Sequence, residues 1–204
     1  MQEDFDSYYK ERDICEIKWF EPFVEHKIID EYNKGCITPG MNLLDVGSGC
    51  SMDSVFFASK GLNVTALDFA PKALDKLKNI TNVLGAKIDV VCTSILDVPR
   101  DLEKKFDVIS DNGCFHHIPH KDRSEYAKSV ARLLKDNGIL YIRAHSNFNI
   151  INSGNSKLRA NRLSSDDIIS TFVTLFKFEE MSLFDYVLTS RGREKMWFIK
   201  LRLR

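Results

Sequence analysis

Two acids and two glycines in the first third of the chain have the spacing of a ligand site on a parallel sheet. Asp45 lies within the apolar run Leu43–Val46, Gly47 and Gly49 follow that run, and Asp68 ends the next apolar run. Glycines let backbone approach a nucleotide-like ligand, and a distal acid accepts hydrogen bonds from ribose hydroxyls. A site for pyrophosphate would gain nothing from an acid ahead of the glycines. A site for a cationic ligand would, because the carboxylate balances the positive charge. The pattern predicts a nucleotide-like ligand with a positive group.

Each of these residues also has a purely structural explanation. The two glycines alone would suit a tight turn, Asp68 would cap the helix that begins at Pro71, and Asp45 would be a buried acid bonded to backbone amides. The ordered series of strand, acid, glycine turn, helix, strand and acid favours ligand binding.

Histidines and an aromatic residue supply the other candidates. His116 and His117 follow the fourth apolar run. A histidine exchanges its proton near neutral pH, so either is a candidate catalytic base, and packing or backbone bonding is the alternative for each. Two adjacent histidines without a carboxylate pattern do not indicate a metal site. Trp19 either closes the pocket or anchors an N-terminal helix.

Alternating strands and helices must position these residues. The predicted strands are Asn42–Val46, Asn63–Asp68, Lys87–Cys92, Phe106–Ser110 and Ile139–Arg143. The predicted helices between them are Ser51–Lys60, Pro71–Leu84 and Lys121–Lys135, with a short helical turn at Asp101–Lys105. Short links between such elements imply a parallel sheet with helices on both faces. Ligands then bind beyond the carboxyl ends of the strands.

The two ends of the chain break this rhythm. Residues 5–34 read as two helical pieces separated at Pro22, and Ser164–Phe176 reads as a helix. Phe178–Thr189 and Lys195–Arg204, joined by a short glycine-containing loop, predict an antiparallel hairpin at one edge. The sequence therefore predicts one Rossmann-like, doubly wound α/β domain of seven strands, mostly parallel, over residues 1–204. Its predicted parts are a helical cap (1–38), a cofactor-binding core (39–145) and a lid loop, helix and hairpin (146–204).

Composition limits the partners. The 29 basic and 29 acidic residues give no net charge, so no broad basic face for nucleic acid is expected. No apolar run approaches ~18 residues, the acidic start lacks a signal-peptide pattern, and the cytoplasm is the expected location. Five cysteines without a CxxC pair support no metal or dithiol motif, and Cys92 is expected to be buried. We expect a monomer or homodimer acting on a small molecule.

Residues 40–145 resemble the class I S-adenosylmethionine-dependent methyltransferases. Leu43–Ser51 is similar to the first motif of that family, and Ala66–Phe69 to its ribose-binding strand end. The terminal hairpin agrees with the same fold. Asp53–Gly61 and Asp111–Pro119 more narrowly resemble the small-molecule branch related to thiopurine and tellurite-resistance methyltransferases.

The resemblance implies S-adenosylmethionine as cofactor and S-adenosylhomocysteine as product. It assigns residues to the cofactor as follows: the methionine end to Asp45, Gly47, Ser48 and Gly49, the ribose to Asp68, the adenine to Phe69, Ser94 and Ile95, and the sulfonium to Asp111 and Asn112. Asn112, His116 and His117 are the candidate catalytic residues. Ser51 departs from the third glycine of the family. Ser94 stands where an acid commonly contacts the adenine amino group, and Asp97 is an alternative partner.

The implied reaction is in-line transfer of a methyl group to a small thiol, amine or metalloid-like oxyanion. The chain lacks the Asn-Pro-Pro-aromatic segment after the fourth strand, which argues against methylation of nitrogen in nucleic acid or protein. One alternative is a non-catalytic cofactor-binding sensor or partner subunit. The departures from the family pattern at Ser51 and Ser94 favour this alternative. A less favoured alternative is an NAD(P)-dependent reductase. That function would leave three features unexplained: Asp45, the absence of a glycine at Met52, and the antiparallel tail.

Overall fold

Seven strands form one twisted mixed sheet. The structure, a computed structural model, describes residues 2–148, 160–188 and 192–204. The strands are β1 (Asn42–Val46), β2 (Asn63–Asp68), β3 (Asp89–Cys92), β4 (Phe106–Asn112), β5 (Leu134–His145), β6 (Phe176–Leu188) and β7 (Gly192–Leu203). They lie in the order β3-β2-β1-β4-β5-β7-β6. Strands β1 to β5 are parallel, and β7 runs antiparallel to both β5 and β6, which confirms the predicted fold class.

Six α-helices connect and cover the strands. They are α1 (Gln2–Lys10), α2 (His26–Asn33), α3 (Met52–Ser59), α4 (Pro71–Leu84), α5 (Arg123–Leu133) and α6 (Ser165–Phe172). One face of the sheet packs on α5 and α6, and the opposite face packs on α2 and α3. Adjacent residues Leu44 and Leu43 enter these two cores, as the alternation of side chains along a strand requires. None of the described helices combines the length and apolarity that a membrane span requires.

Local signals account for the first βαβ unit. β1, β2 and α4 have the predicted bounds. Ser51 caps α3, because its hydroxyl accepts a hydrogen bond from the Asp53 amide at 2.9 Å. Gly85 ends α4 in the left-handed conformation, with a φ of 67°. Each boundary is set by residues next to it in the chain.

The N-terminal prediction was too helical. The structure has α1, a short 3₁₀ turn at Ile14–Glu16 and α2, with irregular chain between the turn and α2. Trp19 lies in that irregular part, so the prediction that it belongs to a helix was wrong. Aromatic residues there pack against the rest of the domain rather than along one helix face.

Other boundaries moved because strands extend where they find a partner. β5 begins at Leu134, which pairs with Phe106, although the sequence predicts a helix as far as Lys135. Phe176, predicted to end a helix, instead begins β6. β7 lies between β5 and β6, so β6 is the outer strand at this edge of the sheet. The prediction of a buried Cys92 was also wrong, because β3 is the edge strand and its thiol is exposed.

Candidate active site

The glycine turn after β1 is closely covered by two other segments. Gly47 has a φ of 62°, and a Cβ built there would lie 2.6 Å from the Cβ of Cys114. Gly49 has a φ of 54°, and its Cβ would lie 2.5 Å from the hydroxyl of Tyr9. Both the left-handed backbone and the close contacts require glycine at these positions. The turn therefore sits between the chain after β4 and helix α1.

Asp68 lies at the carboxyl end of β2, beside this turn. Its Oδ2 accepts a hydrogen bond from the Gly49 amide and its Oδ1 accepts one from the Ala70 amide, both at 2.8 Å. Burial raises the pKa of this carboxyl to about 6, although the backbone bonds act in the opposite direction. The carboxylate of Asp68 thus holds two backbone amides in place, and the same carboxylate is the predicted acceptor for the ribose hydroxyls.

A cleft lies at the carboxyl ends of β1, β2, β3 and β4, with a volume of about 270 Å³ that includes space open to solvent. Its lining includes all four residues that the resemblance assigns to the ribose and the adenine, which are Asp68, Phe69, Ser94 and Ile95. The other lining residues are Gly47, Leu67, Thr93, Cys114 and Ile118. At the turn itself, the buried hydroxyl of Ser48 has no hydrogen-bond partner within the described chain. A buried orphan hydroxyl beside a backbone-lined cleft fits a polar ligand with a flat apolar part.

Ser94 lines this cleft and also caps the short helical turn that follows it. Its hydroxyl accepts a hydrogen bond from the Leu96 amide at 3.2 Å and so caps the 3₁₀ turn Ile95–Asp97. Asp97 is exposed. The departures at Ser51 and Ser94 therefore both serve to begin helical turns.

Asp45 is buried under the glycine turn. Its carboxylate accepts a hydrogen bond of 2.5 Å from the Ser54 hydroxyl. Burial, reinforced by the negative charge of Asp53, raises the pKa of Asp45 to about 7. A positive group placed nearby would favour the ionised form of this carboxyl.

Asp111 organises the chain that follows β4. Its carboxylate accepts hydrogen bonds from the amides of Cys114 (2.8 Å) and Phe115 (2.9 Å) and from the hydroxyl of Tyr126 (2.6 Å). Burial raises its pKa to about 6. The side chain is thus engaged with the protein itself, and it holds in place the segment that carries Asn112 and both histidines.

A buried ion pair lies next to Asn112. The Arg143 guanidinium donates through Nη2 to Asp53 at 2.6 Å and to Ser110 at 2.9 Å, and Asn112 Nδ2 donates to the same Asp53 oxygen at 3.3 Å. Arg143 is fully buried, yet its Nε and Nη1 have no hydrogen-bond partner in the part of the chain that the structure describes. Glu25 is also buried, and its Oε2 has no hydrogen-bond partner among the described residues.

The two predicted histidines have different surroundings. His116 is buried, and its Nδ1 accepts a hydrogen bond of 3.2 Å from the amide of His145, whose ring stacks on it at a centroid distance of 4.6 Å. His117 makes edge contacts with His116 at 4.6 Å and with Phe5 at 5.2 Å. The structure thus places His116 deep beside β5 and His117 under helix α1.

Helix α1 and the chain after it cover the glycine turn and the end of β2. Phe5 contacts the ring of Phe69 at 5.7 Å, and Gln2 donates to the backbone oxygen of Phe69 at 2.9 Å. Trp19 stacks on Tyr8 at 4.5 Å and donates from its indole to the Tyr9 hydroxyl at 2.8 Å. Trp19 thus holds Tyr9 in position, and the hydroxyl of Tyr9 lies against the glycine turn. Most of the loop predicted as a lid lies outside the described residues.

Several residues of this region were missed by sequence reasoning. Asp53 and Arg143 form one pair and His145 and Glu194 form another, and each pair joins residues from elements that are far apart in the chain. One signal was present, because a charged residue at the carboxyl end of an otherwise apolar strand is unusual. Arg143 meets that description, and His145 follows it on the same strand face.

Fold and site together define a Rossmann-like domain that holds a nucleotide-like cofactor at the carboxyl ends of its strands. A family model described as a methyltransferase domain matches residues 43–138. The ubiquinone biosynthesis O-methyltransferase of Dechloromonas aromatica (strain RCB) is 26% identical over 133 residues, covering 61% of this chain and 56% of that protein. The chain therefore spans about half the length of such curated relatives. Residues 43–138 thus match a methyltransferase domain, and the chain is similar to the class I S-adenosylmethionine-dependent methyltransferases.

Solved structures share the whole fold. The chain from work on the conversion of a disulfide bond into a thioacetal group during echinomycin biosynthesis has a TM-score of 0.78 at 21% identity, covering 100% of this chain and 93% of that one. The 1,6-didemethyltoxoflavin-N1-methyltransferase of Burkholderia thailandensis has a TM-score of 0.72 at 18% identity, with coverages of 99% and 86%. At these identities the likeness establishes the fold alone.

Proposed function

We propose that this protein transfers the methyl group of S-adenosylmethionine to a small-molecule acceptor by in-line displacement. The observation that carries the proposal is the presence of two buried, incompletely bonded groups: the guanidinium of Arg143, which shares Asp53 with Asn112, and the carboxyl of Glu25. Buried polar groups are normally hydrogen-bonded. A buried group without a partner in the protein is a candidate to bind water or a ligand. A non-catalytic cofactor-binding protein would have no need to keep such groups available to a second ligand.

The cofactor supplies a methyl group that is already activated by a positive sulfur. Asp68 would accept hydrogen bonds from the ribose, and Phe69, Ser94 and Ile95 would surround the adenine. Asp45, Gly47, Ser48 and Gly49 would hold the methionine end. Asp111 and Asn112 would line the point where the sulfonium meets the acceptor. The protein then contributes mainly alignment, which is worth roughly 7–11 kcal/mol in well-oriented reactions.

The cover over the cofactor side favours a small acceptor. Phe5, Tyr9 and Trp19 lie across the glycine turn and the end of β2, so the route to the methyl group is narrow. The small-molecule branch suggested by the sequence agrees with this arrangement. The names of the relatives also include O- and N-methyltransferases of small molecules.

Labelled S-adenosylmethionine and a panel of hydroxyl, amine, thiol and oxyanion acceptors test the proposal. We expect turnover with at least one small acceptor and loss of turnover in Asp68→Ala. Total protein and RNA are included as competing acceptors. Label found only in those macromolecules, or binding of the cofactor without turnover on any acceptor, would contradict the proposed function.

The raised pKa of Asp45 predicts that cofactor binding releases a proton. A positive ligand lowers the pKa of this carboxyl from about 7, so at slightly acidic pH binding converts the protonated form to the carboxylate. Affinity should therefore rise with pH up to about 7, by at most about tenfold per pH unit. Calorimetry in two buffers of different ionisation enthalpy measures the released proton directly.

Asp45→Asn is the control for this measurement, because it removes the titrating group and keeps an acceptor for Ser54. The buffer-dependent part of the heat should decrease and the pH dependence of affinity should flatten. If Asp45→Asn releases as many protons as the wild type, other carboxyls such as Asp68 or Asp111 are responsible and the assignment to Asp45 is wrong.

A further inference from the structure

His145, the last residue of β5, forms a pair with a buried carboxylate. Its Nδ1 lies 2.7 Å from Oε2 of Glu194 on β7, and the two side chains are 16% and 5% exposed. A carboxylate that binds Nδ1 of a neutral imidazole fixes the proton on Nδ1 and leaves Nε2 free to accept one. This is the arrangement that prepares a histidine to act as a general base.

The neighbouring His116 is prepared for the opposite role. Its Nδ1 accepts a hydrogen bond from the His145 amide at 3.2 Å, so a neutral His116 carries its proton on Nε2. In that form it donates a hydrogen bond and does not take up a proton at Nε2. Of the two stacked rings, only that of His145 presents an accepting nitrogen.

The position of His145 relates it to the reaction centre. Arg143 pairs with Asn112 across β4 and β5, and His145 lies two residues further along the same face of β5. The acceptor therefore approaches between Asn112 and the end of β5. Among the described residues, the ring of His145 pairs with Glu194 from β7 and stacks on His116 from the segment after β4.

We propose that His145, oriented by Glu194, is the general base of the reaction and that the acceptor is a small molecule methylated on a hydroxyl group. This inference rests on the proposed methyl transfer. The acceptor oxygen forms its bond to the methyl carbon while the carbon–sulfur bond breaks, and the sulfur keeps that electron pair. The hydroxyl proton passes to Nε2 of His145, and Glu194 stabilises the imidazolium.

The need for a base selects the hydroxyl over other acceptors. A thiolate attacks without one, and a neutral amine attacks through its lone pair and loses its proton afterwards. A hydroxyl is a poor nucleophile unless its proton leaves as it attacks, which is the step that a positioned base accelerates by about 10²–10⁴-fold.

Nitrogen-15 NMR of the histidine rings tests the state of His145 without any acceptor. We expect the neutral ring to carry its proton on Nδ1 in the wild type and in Glu194→Gln, which keeps an accepting oxygen. In Glu194→Ala this preference should disappear. A wild-type ring protonated on Nε2 would contradict the role of base whatever the activity of the enzyme.

Kinetics with substituted phenols of increasing acidity tests the role itself. We expect His145→Gln to lower kcat by about 10²–10⁴-fold for the least acidic phenols, with a smaller loss for the more acidic ones and little change in KM. Glu194→Gln should give a smaller loss and a shifted pH profile. His120→Gln changes an exposed histidine nearby and is the matched control.

The outcomes separate this inference from the proposed function. An equal loss for all phenols, or methylation of thiols or amines only, would contradict a base for a hydroxyl acceptor while leaving methyl transfer intact. A wild type that binds S-adenosylhomocysteine but methylates no acceptor would contradict the proposed function, and the base with it. Calorimetry with S-adenosylhomocysteine should show unchanged binding in His145→Gln.

Discussion

Replacing Asp68 with alanine is expected to weaken the binding of S-adenosylhomocysteine by roughly 10²–10⁴-fold. Hydrogen bonds to a charged group contribute about 1.5–3 kcal/mol each, and two ribose hydroxyls would bond to this carboxylate. The substitution also removes the acceptor of the Gly49 and Ala70 amides, which lie at 2.8 Å. The glycine turn therefore loses its support together with the ribose contact.

Isothermal calorimetry on three variants separates these contributions. Asp68→Asn keeps an accepting oxygen without the charge, so we expect an intermediate loss, on the order of tenfold. Asp75→Ala removes an exposed carboxylate of α4 that pairs with Lys72, and its affinity should equal that of the wild type. Unchanged affinity in a folded Asp68→Ala would show that the ribose is bound elsewhere.

Replacing Arg143 with methionine is expected to lower the free energy of unfolding by about 3–5 kcal/mol. The change leaves the Asp53 carboxylate buried with its cationic partner gone, and breaking one side of a buried ion pair has that typical effect. Burial on its own would lower the pKa of Arg143, but the neighbouring Asp53 raises it above its ordinary value. Urea denaturation measures the loss.

The effect should depend on pH in a defined direction. Burial raises the pKa of Asp45 to about 7, and the positive charge of Arg143 holds it lower than it would otherwise be. Without Arg143 the ionised carboxyls oppose folding more strongly, so the destabilisation should be largest above pH 7. It should diminish at lower pH, where Asp45 takes up a proton in the folded state.

A second substitution tests the origin of this loss. In Arg143→Met combined with Asp53→Asn, the orphaned charge is gone, so we expect recovery of at least half of the lost free energy. Lys104→Met, in the exposed pair with Asp136, should change stability by no more than about 1 kcal/mol. If the double variant is as unstable as Arg143→Met, the loss comes from packing of the arginine side chain instead.

The cofactor half of the protein was accessible from the sequence because its signals are local. A strand, a glycine turn, a helix and a second strand follow one another within residues 42–68, and each boundary is marked by an adjacent capping residue or glycine. The positions of Gly47, Gly49 and Asp68 in the structure agree with that order. Their roles in binding the cofactor stay predictions until binding is measured.

The N-terminal segment shows where such local reasoning fails. Aromatic residues at helical spacing predict helix over residues 5–34, but Trp19 and its neighbours pack on α1 and on the end of β2 instead. Their burial against other parts of the fold outweighs a weak helix propensity. Nothing in a single sequence states which distant surface will cover an aromatic side chain.

The sequence by itself predicted the class of fold, from alternating strands and helices and a terminal hairpin, and it predicted a cofactor site from residues within one βαβ unit. Only the tertiary structure brought together the residues on the side where we propose that the acceptor binds. Asp53 belongs to α3, Arg143 and His145 belong to β5, and Glu194 belongs to β7; the pairs Asp53–Arg143 and His145–Glu194 form because the fold brings α3 and β7 beside β5. That juxtaposition depends on strand order and register over more than half of the chain, and no local pattern of residue types encodes it.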